Sequence, residues 1–461
     1  MPDFVISVLA FVVAISVLVA VHEYGHFWVA RKLGFKVLRF SIGFGKPIWQ
    51  WRGRDPDRVE YWISAIPLGG YVKMLDEREG PVEERDRERA FNRRPIPHRI
   101  AVLLAGPGFN FLFAIAAYWV MFMTGVPGVR PVVEEVIPGT VAAESGLVPG
   151  QVIERVGVRP TETVEDALLA IFDALLADGR IELAVSTLDG ERRTTVAMDV
   201  RGRLSELTEP DALFPGLGFT LGLGALIPAD VDRVDPGSPA EQAGLTSGDR
   251  ILAAEGQDID GWHHWVEFVR ARPGETASVT VRRGGENVAL DLAIGSVEEE
   301  GVTVGRIGTW PTGRLPDDVV ERIRTEQRYG PFAAVGEGLA KTWEMTQLTV
   351  RMLGRMIVGD VSLRNASGPI MIAAYAGDSA SLGFTYFLSF LGIVSISLGI
   401  MNLLPVPILD GGQIVLQVAE WLKGAPLSER ALAFGQQLGL VFLIALMSVV
   451  FYNDLTRIFG T

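Results

Sequence analysis

The 461-residue sequence contains no cysteine and only five histidines. Without cysteine no disulfide can form, so any exported part of the chain must be stable without one. A metal site must then use histidine and carboxylate ligands, because no thiolate is present. Charged residues are also missing from several long stretches of a chain that is 48% hydrophobic and has a formal net charge of −13. This pattern indicates a protein that is partly embedded in a membrane and partly soluble.

Four uncharged stretches are long enough to cross a bilayer. Residues 4–21, 100–129, 379–409 and 431–453 contain no Asp, Glu, Lys or Arg. A helix needs about 20 apolar residues to span the hydrocarbon core. We therefore predict a multi-pass α-helical membrane protein whose four transmembrane helices lie within residues 1–33, 99–128, 381–412 and 430–454.

The charges between these spans predict their orientation. Residues 31–99 carry 16 Lys and Arg against 10 Asp and Glu, whereas residues 131–310 carry 14 against 31. Because basic loops stay on the cytoplasmic side, residues 31–99 are predicted to be cytoplasmic. The acidic block and both termini then lie outside.

The first span ends in a metal-binding pattern, Val21-His22-Glu23-Tyr24-Gly25-His26. The His-Glu-x-x-His spacing places His22 and His26 one turn apart on one helix face. Glu23 can act on a metal-bound water without being a ligand. Chance is one alternative, and a secretory signal peptide over residues 1–20 is another. The second alternative lacks a basic n-region, since Asp3 is the only charge near the start.

Asp410 is the predicted third ligand. Catalytic zinc sites usually keep three protein ligands and one open position. The first and third spans run in the same direction, so Asp410, at the cytoplasmic end of the third, arrives on the same side as His22 and His26. The sequence therefore predicts one Zn²⁺ bound by these three residues.

Four further residues are predicted to bind substrate or support the site. Pro405 and Pro407 cannot continue a helix, so we expect an extended backbone beside the metal. Asn402 can hydrogen-bond a peptide on the same segment. Asn110 is an amide inside the second span, where it needs a partner; helix packing is the alternative explanation for its glycine-rich surroundings.

Two other regions have distinct patterns. Residues 34–98 contain short strand-like runs separated by glycines, which predict hairpins that either enter the inner leaflet or form a small cytoplasmic β-subdomain. Residues 311–380 include an amphipathic helix, with apolar positions from Leu339 to Met356. A short second element is predicted from Gly359 to Ser379, with a break at Ser367-Gly368-Pro369-Ile370.

The acidic block contains an internal repeat. Residues 138–142 and 236–240 match at an offset of 98, and the same offset pairs Gly146-Leu147 with Gly244-Leu245. A constant offset indicates two copies of one β-rich domain, placed at residues 129–212 and 213–310. They resemble tandem PDZ domains. In the predicted second copy, Gly216, Leu217, Gly218 and Phe219 match the loop by which PDZ domains capture a peptide carboxylate, and the first copy lacks such a loop.

Three motifs together resemble the site-2 protease family of intramembrane zinc metalloproteases. They are His-Glu-x-x-His at 22–26, Gly-Pro-x-x-Asn at 106–110 and Asn-x-x-Pro-x-Pro-x-x-Asp-Gly-Gly at 402–412. The two inserted PDZ-like copies are similar to its bacterial regulator of sigma-E protease branch. The resemblance implies zinc on His22, His26 and Asp410, and Glu23 as catalytic acid/base. It also implies a membrane re-entrant β-region within 35–74 and a membrane-associated helix within 331–380.

The resemblance also implies a function: hydrolysis of peptide bonds within transmembrane segments during regulated intramembrane proteolysis of the envelope stress response. The expected substrates are single-span proteins such as an anti-sigma factor, and remnant signal peptides. The expected location is the bacterial inner membrane, with the termini and PDZ domains periplasmic; the lipid bilayer is a partner and nucleic acid is not. A non-catalytic PDZ membrane adaptor with a structural metal is the alternative, and a transporter is a weaker one.

Overall fold

The computed structural model describes residues 2–299 and 302–459. The chain divides into two compact units, which we call the helical unit (Met1–Val126 with Gln327–Thr461) and the repeat unit (Pro127–Glu326). The helices are α1 Pro2–Lys32, α2 Ile96–Thr124, α3 Val141–Glu144, α4 Val164–Ala177, α5 Leu204–Leu207, α6 Leu213–Leu217, α7 Pro239–Gln242, α8 Trp262–Arg270, α9 Asp317–Ile323, α10 Pro331–Val358, α11 Pro369–Leu382, α12 Phe384–Leu403, α13 Asp410–Lys423 and α14 Glu429–Phe459.

The strands follow the same chain order. They are β1 Val37–Arg52, β2 Glu60–Met74, β3 Val126–Val129, β4 Val133–Val136, β5 Val152–Val156, β6 Arg159–Pro160, β7 Arg180–Ser186, β8 Arg193–Asp199, β9 Phe219–Leu221, β10 Val231–Val234, β11 Arg250–Ala254, β12 Gln257–Asp258, β13 Thr276–Arg283, β14 Glu286–Ala293, β15 Gly295–Glu299, β16 Val302–Arg306, β17 Thr309–Pro311 and β18 Arg324–Gln327.

Among the described residues, four helices are long and apolar enough to cross a membrane. They are Phe4–Lys32, Ile96–Thr124, Phe384–Leu403 and Arg430–Phe459. The predicted number of spans is therefore confirmed by length and composition. The second helix stops at Thr124, earlier than predicted, because Gly125 takes a positive φ of 94° and ends it.

The predicted third helix over residues 381–412 is wrong in its bounds. Gly383 separates α11 from α12, and α12 ends at Leu403 because Pro405 cannot continue it. A non-helical segment of six residues follows, and a new helix, α13, begins at Asp410. The chain from residue 413 to 423, to which the sequence assigned no element, is thus helical.

Glycines lie where the helices of the helical unit cross closely. A Cβ on Gly25 of α1 would lie 2.4 Å from the carbonyl oxygen of Ala105, and one on Gly392 of α12 would lie 2.8 Å from the Tyr118 ring. Small residues let helix backbones approach where lipid supplies no hydrophobic driving force. These contacts fix α1 and α12 against α2.

The β-region of the helical unit is a bent two-stranded sheet. Phe40 of β1 pairs with both Val72 and Tyr61, because β2 doubles back along it. A core that includes Phe27, Phe35 and Val102 packs this sheet against the ends of α1 and α2. The sheet is thereby held beside the helix face that carries the histidines.

The repeat unit contains the same four-stranded sheet twice, with strand orders β6-β5-β7-β8 and β12-β11-β13-β14. The strand pairs correspond in the two copies: Val152 pairs with Ser186, and Arg250, which lies 98 residues after Val152, pairs with Arg282, which lies 96 residues after Ser186. Each sheet packs on one helix, α4 in the first copy and α8 in the second. The internal repeat is therefore structural.

The predicted boundary between the copies at residue 213 is wrong. Phe219 of β9 pairs with Val136 of β4, in the first copy. Leu217 and Phe219 are fully buried in the first core, beside Val133. The loop Gly216–Phe219 therefore belongs to the first copy, because its apolar side chains complete that core.

The second copy has its own equivalent of this loop further along the chain. The N–H of Ile137 donates to Gly218 O in the first copy, and the N–H of Asp235, 98 residues later, donates to Gly308 O. Ile307 is buried in the second core as Leu217 is in the first. Each copy thus closes its core with the segment that follows its sheet.

Candidate metal centre

The two histidines of the motif lie on one face of α1 and face each other. Both are 8% exposed, and their Nε2 atoms are 3.2 Å apart. The rings are nearly perpendicular, at 83°. Two imidazole nitrogens at this distance form a pair of ligand atoms directed at one point.

Asp410 completes the group. Its Oδ2 lies 3.2 Å from His22 Nε2 and 3.4 Å from His26 Nε2. Donor atoms at tetrahedral corners about 2.1 Å from a zinc ion lie about 3.4 Å apart. Asp410 Oδ2 is also buried without a hydrogen-bond donor among the described residues. The three residues therefore fit a zinc ion, and they form a group, brought together from α1 and α13, that could hold a metal.

Residues of α2 orient both imidazoles. His26 Nδ1 lies 2.8 Å from the carbonyl oxygen of Val102, to which it donates, so its Nε2 lone pair is free for a metal. His22 Nδ1 lies 3.1 Å from Asn110 Nδ2. Since the amide oxygen and nitrogen exchange places by a half-turn, Asn110 can instead accept from a protonated Nδ1. Asn110, predicted from the sequence as a support, thus lies against the first histidine.

Asn110 also connects the site to α12. It is fully buried, and its backbone carbonyl accepts a hydrogen bond of 2.9 Å from Ser395 Oγ. Its Oδ1 has no partner among the described residues. A half-turn of the amide would place that oxygen against the imidazole, which explains why a buried amide lies at this position.

Gly106 supplies the space that the imidazoles occupy. A Cβ there would lie 2.3 Å from His26 Nε2 and 2.8 Å from His22 Cε1. In the sequence, Gly106 begins the Gly-Pro-x-x-Asn motif, but the motif alone predicts no role for it. Its position four residues before Asn110, on the same face of α2, is the signal that could have placed it at the site.

Glu23 is half-buried and lies beside strand β2. A Cβ on Gly70 would lie 2.8 Å from Glu23 Cγ. The carboxylate therefore lies one residue from a ligand and next to a strand, where a substrate backbone could approach both.

The segment before Asp410 is turned, so the predicted extended backbone at Pro405 and Pro407 is wrong. The N–H of Val406 donates to Leu404 O, and the N–H of Leu409 donates to Val406 O. These turns arise because the two prolines end the helix and the freed N–H groups find partners within the segment. Gln413 Nε2 donates to Pro407 O at 2.7 Å and ties the segment to α13.

Two glycines allow the turned segment to pack on α13. A Cβ on Gly411 would lie 2.2 Å from Leu403 O, and one on Gly412 would lie 2.1 Å from Val406 O. Both glycines are buried. This close packing, rather than the chain reversal alone, requires the Gly-Gly pair after the ligand.

Asn402, Pro405 and Pro407 are not among the three ligands. Asn402 lies on the last turn of α12, and its side chain is half-buried. Pro405 is exposed, and Pro407 lies near α14, where a Cβ on Gly439 would lie 3.2 Å from Pro407 Cδ. The remaining predicted site residues, Gly216–Phe219, lie in the repeat unit.

The arrangement matches a class of enzyme: two histidines on an apolar helix and one carboxylate could hold a metal, with a second carboxylate, Glu23, one residue from the first histidine. A sequence model of peptidase family M50 matches residues 10–446. The chain therefore belongs to peptidase family M50, the site-2 protease family of intramembrane zinc metalloproteases. It is a zinc-dependent membrane metalloprotease.

Individual relatives are similar over nearly their whole length. The regulator of sigma-E protease RseP of Escherichia coli (strain K12) is 41% identical over 462 residues, covering 99% of this chain and 100% of that protein. The protease RseP of Yersinia pestis is 40% identical over 458 residues, with 98% and 99% covered. A Vibrio cholerae protein provisionally named a zinc metalloprotease is 39% identical over 465 residues, with 99% and 100% covered.

Proposed function

We propose that this chain is an intramembrane endopeptidase of the sigma-E pathway that cuts transmembrane segments of single-span proteins. Its substrates would be an anti-sigma factor and remnant signal peptides in the bacterial inner membrane. The observation that carries the proposal is the convergence of Asp410 on His22 and His26, which lie on a helix long and apolar enough to cross a membrane. The names of the relatives supply the pathway.

One zinc ion would be held by His22, His26 and Asp410. When bound, zinc supplies Lewis-acid activation of a water molecule and of the scissile carbonyl. Glu23 would take a proton from the attacking water and return it to the leaving amide nitrogen. Asn110 and the Val102 carbonyl would keep both histidines in the tautomer that leaves Nε2 free.

A helical substrate hides its carbonyls in its own hydrogen bonds, so it must unwind before cleavage. Residues 70–74 of β2 would be the strand with which the unwound substrate pairs, because Gly70 of β2 lies against Glu23. Strand addition there would expose one peptide bond to the metal. The turned segment 404–409 is less suited, since two of its N–H groups already have partners. Asn402 would hydrogen-bond the unwound peptide, and Pro405 and Pro407 would shape the wall beside it.

The charge distribution supports residues 31–99 on the cytoplasmic side and both termini in the periplasm. The β-region would re-enter the membrane from the cytoplasmic side. Its tip is apolar: Ile48 is 75% exposed and Trp49 is 62% exposed. Side chains of this kind suit lipid contact.

The repeat unit would act in the periplasm as two PDZ domains that exclude substrates with intact outer domains. In the first copy, Gly216, Leu217, Gly218 and Phe219 would form a peptide loop beside a cavity of about 490 Å³. The N–H groups of Gly216 and Gly218 already donate within this turn, to Ala212 O and Phe214 O. Capture of a carboxylate would require the turn to open, whereas exclusion by size would not.

Two substitutions test the enzyme assignment in purified full-length protein. Glu23→Gln is expected to lower cleavage of a transmembrane substrate by about 10² to 10⁴ while zinc content stays at the wild-type level. Asp410→Ala is expected to lose both zinc and activity. Zinc is measured by elemental analysis and cleavage by gel assay.

Other outcomes would change the assignment. Full cleavage by Glu23→Gln would remove Glu23 as the acid/base, and unchanged zinc in Asp410→Ala would remove the third ligand. If a chelator lowered thermal stability but left cleavage intact, the metal would be structural and the assignment of a metal-dependent protease would fail.

A further inference from the structure

The ion pair between Arg99 and Glu420 joins α2, whose residues orient the two histidines, to α13, which carries Asp410. Arg99 Nη2 lies 2.9 Å from Glu420 Oε1, and Arg99 is only 5% exposed. Its Nε donates to the carbonyl oxygen of Arg94 at 3.0 Å. Arg99 lies near the start of α2, and Glu420 lies near the end of α13.

Neither charge suits its own helix. A cation near a helix N-terminus and an anion near a helix C-terminus both oppose the helix dipole. Arg99 lies in the first turn of α2, and Glu420 is three residues from the end of α13. The placement of both charges is therefore explained by their contact with each other and not by helix stability.

The polar residues of α13 face the protein. Asp410, Gln413, Gln417 and Glu420 follow each other at intervals of three and four, on one helix face. Three apolar residues of the same helix are exposed: Val415 is 52% exposed, Trp421 63% and Leu422 82%. The helix is thus attached through its polar face, with the metal ligand at one end and the ion pair at the other.

The matching face of α2 holds the other parts of the site. Arg99, Val102, Gly106 and Asn110 lie at intervals of three and four on that helix. From Asp410 to Glu420 α13 rises about 15 Å, and α2 rises about 10 to 16 Å from Arg99 to Gly106 and Asn110. The distance between Asp410 and Glu420 along α13 therefore matches the distance along α2 between Arg99 and the residues that contact the histidines, about 15 Å.

We propose that Arg99 and Glu420 are positioning residues that fix α13 along α2 and so hold Asp410 Oδ2 at ligand distance from His22 and His26. The proposal rests on the ligand set proposed above. Groups that hydrogen-bond a metal ligand directly typically change metal affinity by about 10- to 100-fold when they are removed. The ion pair acts on Asp410 only through α13, so the expected loss lies at the lower end of this range. Loss of the ion pair should therefore weaken zinc binding without removing any ligand.

The test measures zinc affinity of the full-length protein in detergent by competition with a chelator. Arg99→Gln and Glu420→Gln are each expected to lower zinc affinity by about tenfold, the lower end of the range for groups that contact a ligand directly. The exchanged pair, Arg99→Glu with Glu420→Arg, should restore most of it, since both charges then also suit their helix ends. The absorption spectrum of the cobalt(II)-loaded protein should change in the single variants and return in the exchanged pair.

Arg89→Gln is the matched control. Arg89 makes a bidentate ion pair with Asp57, at 2.7 and 2.6 Å, in the β-region of the same unit. Neither residue lies on α2 or α13, so zinc affinity should stay at the wild-type value. Thermal unfolding of the zinc-free variants separates folding from positioning.

Two results would overturn the proposal: wild-type zinc affinity in both single variants, or an equal loss in Arg89→Gln. Failure of the exchanged pair to restore affinity would also overturn it. Unchanged zinc in Asp410→Ala would instead contradict the ligand set, so the two failures can be told apart.

Discussion

Buried polar side chains have different roles in the helical unit and in the repeat unit. In the helical unit, buried polar side chains from α1 and α2 meet a carboxylate of α13 at one point. In the repeat unit, a buried carboxylate closes a local turn: Asp249 accepts from the Thr246 N–H and from Arg283. Burying a polar group in hydrocarbon costs free energy, so such groups are found mainly at functional sites. In a soluble domain, a buried carboxylate can serve to accept hydrogen bonds from the backbone N–H groups of a turn.

Asp454 shows that the helical unit also uses a carboxylate for structure. It is fully buried and accepts hydrogen bonds from the N–H groups of Gly368, Ile370 and Met371 at the start of α11. Those N–H groups would otherwise lack partners at membrane depth. The two units therefore differ in where buried polar groups converge, not in whether backbone groups are satisfied.

The largest expected effect is a loss of stability in one copy of the repeat unit that leaves the other copy unchanged. Leu217→Ala should destabilise the first copy by about 2 to 5 kcal/mol, because it leaves a cavity in that core. Hydrogen exchange of the full-length protein should show faster exchange in β5 and β7 and no change in β11 and β13. Ile307→Ala, at the equivalent place, should have the reverse pattern. Faster hydrogen exchange in β11 and β13 of Leu217→Ala would instead support the predicted boundary between the copies at residue 213.

In the helical unit, Gly106→Ala should lower zinc affinity by about a hundredfold, near 2.7 kcal/mol. Its Cβ would overlap both imidazoles. Gly108→Ala is the matched control on the same helix, since a Cβ there has no neighbour within 4 Å. Chelator competition measures both. Equal affinities in the two variants would show that the imidazoles do not need the space at Gly106.

A smaller loss is expected for Asn110→Ala, about tenfold in zinc affinity, because His22 would lose its orienting partner. Asn453→Ala is the control: Asn453 is also a buried amide of the helical unit, but it donates to Leu363 O and Ala366 O. That variant should lower thermal stability and leave zinc affinity unchanged. A zinc loss shared by both variants would argue against a specific role for Asn110.

The smallest effect concerns the second copy in acid. Burial raises the pKa of the Asp249 carboxyl, but hydrogen bonds from Arg283 and the Thr246 N–H outweigh it and hold that pKa below its ordinary value. The unfolded-state pKa, about 3.9, is then the higher one. The carboxylate therefore stabilises the second copy above about pH 4 and loses this contribution as the pH falls through the folded-state pKa.

Pepsin digestion at stepped pH, followed by mass spectrometry of the fragments, measures this acid effect. Asp249→Asn should flatten the pH dependence of cleavage within the second copy. Asp199→Asn should not alter the profile of the first copy, because the Asp199–Arg201 pair is exposed and screened by solvent. An unchanged profile in Asp249→Asn would assign the acid sensitivity to other groups.

Local patterns were enough to predict much of the metal centre. The spacing of His22 and His26 sets them on one helix face, and charge-free stretches mark four spans. Asp410 could be added because the direction of the spans places it on the same side. Each of these inferences depends on neighbours in the sequence or on the charge of whole loops, which no packing detail alters.

Other features could not be predicted because they depend on which segments meet. The loop Gly216–Phe219 follows the first sheet and precedes the second, so its sequence suits either copy. Only the pairing of Phe219 with Val136 assigns it. The turned backbone at Val406 likewise depends on α13 packing against it through Gly411 and Gly412.

The sequence by itself determined the number of candidate membrane spans, the repeat and the candidate metal ligands, since these depend on periodicity, charge and residue chemistry. Only the tertiary structure decided that Gly106 leaves room for the imidazoles, that Asn110 faces His22, and that Arg99 forms an ion pair with Glu420. Those contacts join residues far apart in the chain. These contacts are set by the close packing of helices and strands, which local sequence patterns do not predict.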